Sequence, residues 1–529
     1  MKNISKYLIG LAALALVLTA CHKDLDRFPP NDVTSETLYN SKAGYTQVLA
    51  KVYGSMALTG NQGPAGSGDV AGIDEGTSDF LRMFWKAQEL STDEAVVAWN
   101  DPGIQDFHNM NWSSSNPMLT GLYARCFYVI TLSNEFIRES DPVKVSGRGI
   151  SGTDASDIAA MRLEARYVRS FVYWVLMDLF ARPGYTDENT PIGASALPQQ
   201  IERTDLFKKV ETELLALENE AALPATSAGT RYGRASKAAV QALLARMYLN
   251  AGVYTGTAAY DKAITYAQKV ISAGYSLMSN YTQIMLADNN TGNPEAIWTI
   301  NFDGVKTQSY GGTTFLVNAS VGGDMDRAVS GLTGWGGLRC TKNLPNLFPD
   351  YTGTIDKRAQ FFQQKLEIDN IAEFKDGYAV IKYRNKTRTG GFGTDPSRTF
   401  ADIDFPVFRL AEMYLIYAEA AWRTNTNKSQ GATYFNALRQ RAYGNTSGNL
   451  SEGLITLDVI LDERARELYW EGHRRTDLIR YNKFTDGTYL WPWKGGVKTG
   501  TGVDSYRRIY PIPSTETSSN PNIKQNMGY

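Results

Sequence analysis

The segment Trp99-Asn100-Asp101-Pro102 sets an indole directly before an amide and a carboxylate, with a proline that stiffens the turn. Such a set suits a saccharide. An aromatic face covers the apolar C–H side of a sugar ring, while planar amide and carboxylate groups meet its hydroxyls at fixed angles. Five more tryptophans fall in irregular stretches: Trp85, Trp112, Trp335, Trp491 and Trp493. In Gly334-Trp335-Gly336-Gly337 a large ring has minimal neighbours, which leaves its face open. Trp112 follows Asn109-Met110-Asn111, and Tyr310 precedes Gly311-Gly312. The candidate ligand contacts are therefore Trp99, Asn100, Asp101, Trp335, Trp85, Trp112 and Tyr310. Trp174, Trp422 and Trp470 lie on helical periodicity and Trp298 on a strand, so they are expected in the core.

Groups able to do covalent chemistry are sparse. The chain has three histidines, His22, His108 and His473, and none belongs to an H-E-x-x-H motif. There is no G-x-S-x-G elbow, no P-loop and no C-x-x-C. A glycosidase needs only two carboxyls about 5–10 Å apart. The acids Asp69, Asp74, Glu75, Asp79, Asp93 and Glu94 offer candidates for such a pair or for Ca²⁺, yet they lack the spacing of a calcium loop and read as solvated loop acids. The expectation is a binding protein, with no catalytic residue, metal or cofactor. Cys126, in an apolar run over 122–128, reads as a buried free thiol, and a pairing with Cys340 stays open.

The elements that must position these residues are mostly helical. Val168, Phe171, Val172, Val175, Leu176, Leu179 and Phe180 recur at helical spacing until Pro183-Gly184, and 119–138 is similarly periodic. Asp205 is placed to cap a helix over 206–220, and Ser236 one over 237–251. Another begins at Tyr260, and two more are expected over 408–423 and 457–481. Small residues and tyrosines at these spacings resemble tetratricopeptide repeats, about four degenerate helix pairs. Residues 285–405 break the pattern with a strand near 295–302 and many glycines, as a loop and short-strand insertion. The charges from Glu463 to Arg480 read as structural ion pairs at i+3 and i+4. With 54 basic and 55 acidic residues in 529, no patch for nucleic acid is implied.

The N-terminus carries Lys2 and Lys6, an apolar run over 8–18, and Leu18-Thr19-Ala20-Cys21. This resembles a bacterial lipoprotein signal, which implies cleavage before Cys21 and lipidation of that cysteine. Lys23, Asp24 and Asp26 resemble the surface-export signal of Bacteroidota lipoproteins. The expected organisation is a signal peptide at 1–20, a lipidated tether at 21–35 and an N-terminal helical region at 36–284 with site loops at 61–118. The insertion at 285–405 and a C-terminal helical region at 406–529 follow.

Four blocks, in this order, resemble the SusD/RagB family of nutrient-binding lipoproteins. They are 162–169 with Asp178-Leu179-Phe180, then 236–252, then 408–420, then 463–468 with 471–478; Tyr510-Pro511-Ile512-Pro513 also fits. The resemblance implies a tetratricopeptide-type scaffold, a glycan site on loops and an outer-membrane location facing outward. It also implies a SusC-like TonB-dependent β-barrel as partner. Relatives place a platform tryptophan and asparagine in the loop where Trp99 and Asn100 stand. Peptide capture and surface glycoside hydrolysis are the alternatives.

Overall fold

The computed structural model describes residues 35–193 and 197–529. The signal segment, Cys21 and the tether up to residue 34 lie outside the described residues.

The described chain is mostly α, as expected, and begins with the short helix Ser35–Leu38. The first half contributes α1 (Lys42–Gly54), α2 (Phe80–Glu89), α3 (Pro117–Glu139), α4 (Gly152–Phe180), α5 (Arg203–Asn219), α6 (Lys237–Leu249) and α7 (Tyr260–Ile271). The second half adds α8 (Gly312–Ser320), α9 (Leu410–Thr424), α10 (Lys428–Tyr443), α11 (Leu457–Leu468) and α12 (Arg474–Arg480). Helices pack in succession: α3 on α4, α4 on α5, α5 on α6, α6 on α7, α7 on α9, and α9 on α10 and α11. Local chemistry explains several ends. The Asn116 side chain accepts from the Met118 and Leu119 N–H groups, with Pro117 at the first turn of α3. Ser236 caps α6 by accepting from Ala239 N–H. The periodic face of α4 from Val168 to Phe180 is fully buried.

The strands are short. Four enter the argument: β1 (Val96–Val97), β2 (Ala296–Ile300), β3 (Leu338–Arg339) and β4 (Phe405–Arg409). β1 pairs antiparallel with β3 and β2 with β4. Among the described residues no helix is long and apolar enough to cross a membrane.

Several expectations are corrected. Asp205 lies inside the first turn of α5, not at its cap. Phe408 belongs to β4 rather than to the following helix. The helix expected over 457–481 breaks into α11 and α12, because Trp470 and Gly472 take left-handed backbone (φ 65° and 79°). A Cβ on Gly472 would come within 2.8 Å of the Phe84 ring, so this turn needs glycine. α2, α8 and α10 have no counterpart in the sequence reading. All residues of α2 and α8 are buried; α8 has no one-sided polar stripe, whereas α2 carries Arg82, Lys86 and Glu89 along one face at helical spacing, a signal left unused.

The acid-rich segment is not uniformly solvated. Asp79 caps α2 and accepts from Gly312 N–H at 3.1 Å; Asp93 pairs with Arg474 at 2.6 Å; Glu94 accepts from Trp470 N–H at 3.1 Å. The C-terminal charges are ion-paired, but only Arg466–Glu463 and Arg480–Asp477 follow the i+3 pattern. Their main partners come from elsewhere. Arg409 on β4 reaches Glu295, Glu467 and Glu471 at 2.6–2.7 Å, and Arg358 reaches Glu463 at 2.6 Å, all with almost no solvent exposure. Cys126 and Cys340 are both free and buried.

Candidate functional site

The pairing of β1 with β3 carries the 99–101 loop against the 334–337 loop, although some 235 residues of sequence separate them. Ala98 N–H donates to the Gly337 carbonyl at 2.8 Å, and the Trp99 indole N–H to the Gly336 carbonyl at 2.6 Å. Bonds to the end of α8 fix the second loop: Trp335 N–H donates to the Asn318 carbonyl and Gly336 N–H to that of Val321, each at 2.7 Å. Gly334 and Gly336 have φ of 81° and 64°, and a Cβ on Gly337 would lie 2.4 Å from the Trp99 ring. Here the glycines do more than bare the tryptophan. They permit the left-handed turn and the close approach of the indole.

The result is an aromatic arc. The Trp99 and Trp335 ring centroids are 6.4 Å apart with planes inclined at 43°, and Tyr310 stands 6.2 Å from Trp335 at 61°. Trp335 is 36% exposed and Trp99 half-buried. Trp99, Trp335, Asn100, Asp101 and Arg82 line a shallow concavity of about 560 Å³. Asn100 and Asp101 are exposed. Of the expected contacts, the structure thus brings Trp99, Asn100, Asp101, Trp335 and Tyr310 together.

Trp85 and Trp112 are corrected. Trp85 is fully buried on α2, with its indole N–H on the Trp470 carbonyl at 3.0 Å and its ring 5.1 Å from that of Trp470. Trp112 is 1% exposed and donates to the Tyr529 hydroxyl at 2.6 Å. Each ring is spent on the core, so neither can stack on a ligand. Trp491 is buried as well, while Trp493 is half-buried and donates to the Ile368 carbonyl, outside the arc.

Arg82 is the residue that the sequence reading missed. One guanidinium nitrogen donates to the Gly76 and Tyr310 carbonyls at 2.7 and 2.9 Å, which ties α2 to the loop carrying Tyr310. The guanidinium carbon lies 4.6 Å from the Phe315 ring centre and 5.8 Å from that of Trp99. Burial pushes its pKa down to about 10, which leaves it cationic at neutral pH. Its Nε has no partner among the described residues. A cation in the otherwise apolar run Phe80-Leu81-Arg82-Met83-Phe84-Trp85 was the available signal. One turn on, Lys86 is buried beside Met118 and Phe315, and burial together with Arg82 drives its pKa well down.

This arrangement can stack two successive sugar rings and offer an amide, a carboxylate and a guanidinium to their hydroxyls. Asp101 is the single carboxylate among the residues lining the concavity, where glycoside hydrolysis uses two. His108 and His473 are both buried far into the fold, and burial lowers the pKa of each.

Comparison with known proteins gives a consistent picture. Residues 351–529 match the SusD family. Starch-binding protein SusD of Bacteroides thetaiotaomicron is 33% identical over 580 aligned residues, covering 99% of this chain and 100% of that one. Among solved structures, surface glycan-binding protein A from Bacteroides thetaiotaomicron in complex with laminarihexaose superposes with a TM-score of 0.71 at 19% identity, over 91% of this chain and 98% of that one. A laminarin-binding SusD-like protein gives a TM-score of 0.68 at 22% identity, over 92% and 99%. At these identities the two structures establish the fold.

Proposed function

The chain belongs to the SusD family, and from that premise we propose that it is a non-catalytic glycan receptor whose platform is the Trp99–Trp335–Tyr310 arc. The carrying observation is the approach of two open indoles to 6.4 Å from distant parts of the sequence, with free polar groups at their rim. Asn100, Asp101 and Arg82 orient the sugar hydroxyls. Planes inclined at 43° match a glycan that turns between residues better than a flat ribbon, which would lie on coplanar rings. The relation to a starch-binding protein points the same way, so a starch-type α-glucan is the first ligand to test. Soluble starch and laminarin retard the protein in affinity gels, cellulose does not pull it down, and no reducing ends appear. Retention by cellulose alone, or steady release of oligosaccharides, contradicts the reading.

The signal at Leu18-Thr19-Ala20-Cys21 supports a lipid anchor on Cys21, with the receptor facing outward from the outer membrane and delivering glycan to a SusC-like TonB-dependent transporter. Cys21→Ala then releases the protein from the membrane fraction. Continued membrane association of that variant counts against the anchor.

A further inference from the structure

A second concavity of about 550 Å³ lies between the loops at 226–232, 273–275 and 290–294, at the start of β2, and shares no lining residue with the tryptophan arc. Its chemistry is uniform. No charged side chain lines it; the lining consists of tyrosine rings, amides, hydroxyls, glycines and small apolar groups. The hydroxyl oxygens of Tyr232 and Tyr275 are buried, so these half-buried residues present ring rather than hydroxyl to the groove. Asn290 and Asn293 sit on the facing loop. The Asn290 side-chain oxygen accepts from the Thr291 hydroxyl, and that of Asn293 from Glu295 N–H, both at 3.1 Å. These bonds orient the two amides and leave their NH₂ groups free to donate. The opposite wall is equally fixed, because Ser227 donates to the Ile297 carbonyl on β2 at 2.9 Å.

This lining discriminates between ligand classes. The nearby Arg388 guanidinium lies outside the lining and already donates to the Thr291 carbonyl at 2.6 Å, a cation finds no carboxylate in the lining, and a lipid chain would strand the amides without partners. Ring faces combined with pre-oriented neutral donors are what a neutral saccharide needs. We propose that the Tyr232–Tyr275–Asn290–Asn293 groove is a second saccharide site, acting with the tryptophan arc to hold one polymer at two points. The proposal rests on the glycan-receptor reading for its ligand class. Its consequence is avidity: the second contact becomes intramolecular once the first is made.

The test uses four full-length proteins: wild type, a groove variant (Ala228→Arg with Asn290→Ala), an arc variant (Trp99→Ala with Trp335→Ala) and their combination. Ala228 and Asn290 are both exposed, so the groove substitutions leave the melting curve unchanged. Retention is measured on soluble starch or laminarin, whichever wild type binds, and tryptophan fluorescence follows titration with the matching hexaose. No tryptophan lines the groove, and the arc variant shows which part of the fluorescence response belongs to the arc. The groove variant keeps the wild-type fluorescence titration but loses polymer affinity by about 10²-fold, the low end of what linking two sites provides. The arc variant loses the fluorescence response and retains weak polymer binding that the combined variant lacks. Unchanged polymer retention in the groove variant, with residual binding of the arc variant indifferent to the groove substitutions, overturns the second site and leaves the arc intact. Full retention by the arc variant overturns the arc instead, and the combined variant then decides the groove on its own.

Discussion

What an indole can do for a ligand depends on how its ring and its N–H are already committed. Trp99 and Trp85 both fall in the segment 61–118, read from the sequence as site loops, and both donate to a backbone carbonyl. The difference lies in the ring: that of Trp85 is enclosed between Phe315 and Trp470, whereas that of Trp99 keeps one face on the concavity. Trp85→Ala therefore costs roughly 3–5 kcal/mol through a core cavity, and the molecules that remain folded bind glycan as wild type does. Trp335→Ala does the opposite. Stability shifts by about 0.5 kcal/mol or less, as for most surface changes, while affinity falls more than about tenfold if the ring is worth at least ~2 kcal/mol as an interface anchor. Melting curves run beside affinity-gel mobilities check both halves, and equal behaviour of the two variants refutes the distinction.

At the scale of elements, α2 links the arc to the turn between α11 and α12. Arg82 at its start serves the concavity, and Glu89 at its end accepts from Gly472 and His473 N–H groups. Glu89 also lies against Glu94, with Arg474 and Asp93 nearby. Burial first, and then the neighbouring carboxyl, pushes Glu89 far above the usual carboxylate range, while burial lifts Glu94 to about 7. A carboxyl with a raised folded-state pKa binds its proton more tightly in the native state than in the unfolded one. Its contribution to stability is complete below the unfolded value of about 4.3 and fades as pH rises through the folded value. Glu89→Gln keeps a neutral group at all pH values. Its stability relative to wild type should therefore improve steadily from pH 4.5 to 7 in urea unfolding series. A constant difference across that range contradicts the raised pKa of Glu89. Glu463 acts in the other sense: burial opposes its ionisation, but Arg358, Arg466 and Arg439 hold it at about 2, so its contribution is lost only in strong acid.

The same elements explain what the sequence disclosed. Helices with one apolar face, such as α4, or with a clear cap, such as α6, were legible because period and capping chemistry are local. α8 was not, since it is neutral all round and shows no stripe; α2 does carry one, with Arg82, Lys86 and Glu89 on a single face, but it is short and lies in a segment read as site loops. Trp99, Asn100 and Trp335 stood out by their immediate neighbours, but nothing local joins residue 99 to residue 335. That join is made by the β1–β3 pairing, two residues long on each strand. Trp85 and Trp112 misled for the converse reason. Their flanking residues look loop-like, and their burial is imposed by Phe315, Trp470, Tyr510 and Tyr529 from far along the chain.

Across the whole molecule, a helical body knit by buried ion pairs carries the arc on loops that a short strand pair and backbone hydrogen bonds hold together. Arg409, bonded to Glu295, Glu467 and Glu471, ties the insertion to the C-terminal helices. Such a body suits capture: the platform is already formed without a ligand, so little ordering is lost on binding. The most direct test of this claim is calorimetric titration of wild type and the Trp99→Ala, Trp335→Ala double variant with maltohexaose, each first shown to melt as a folded protein. We predict measurable binding by wild type and, in the double variant, loss of all but the weak binding that the second groove supplies. Wild-type affinity in the folded double variant would contradict the platform outright.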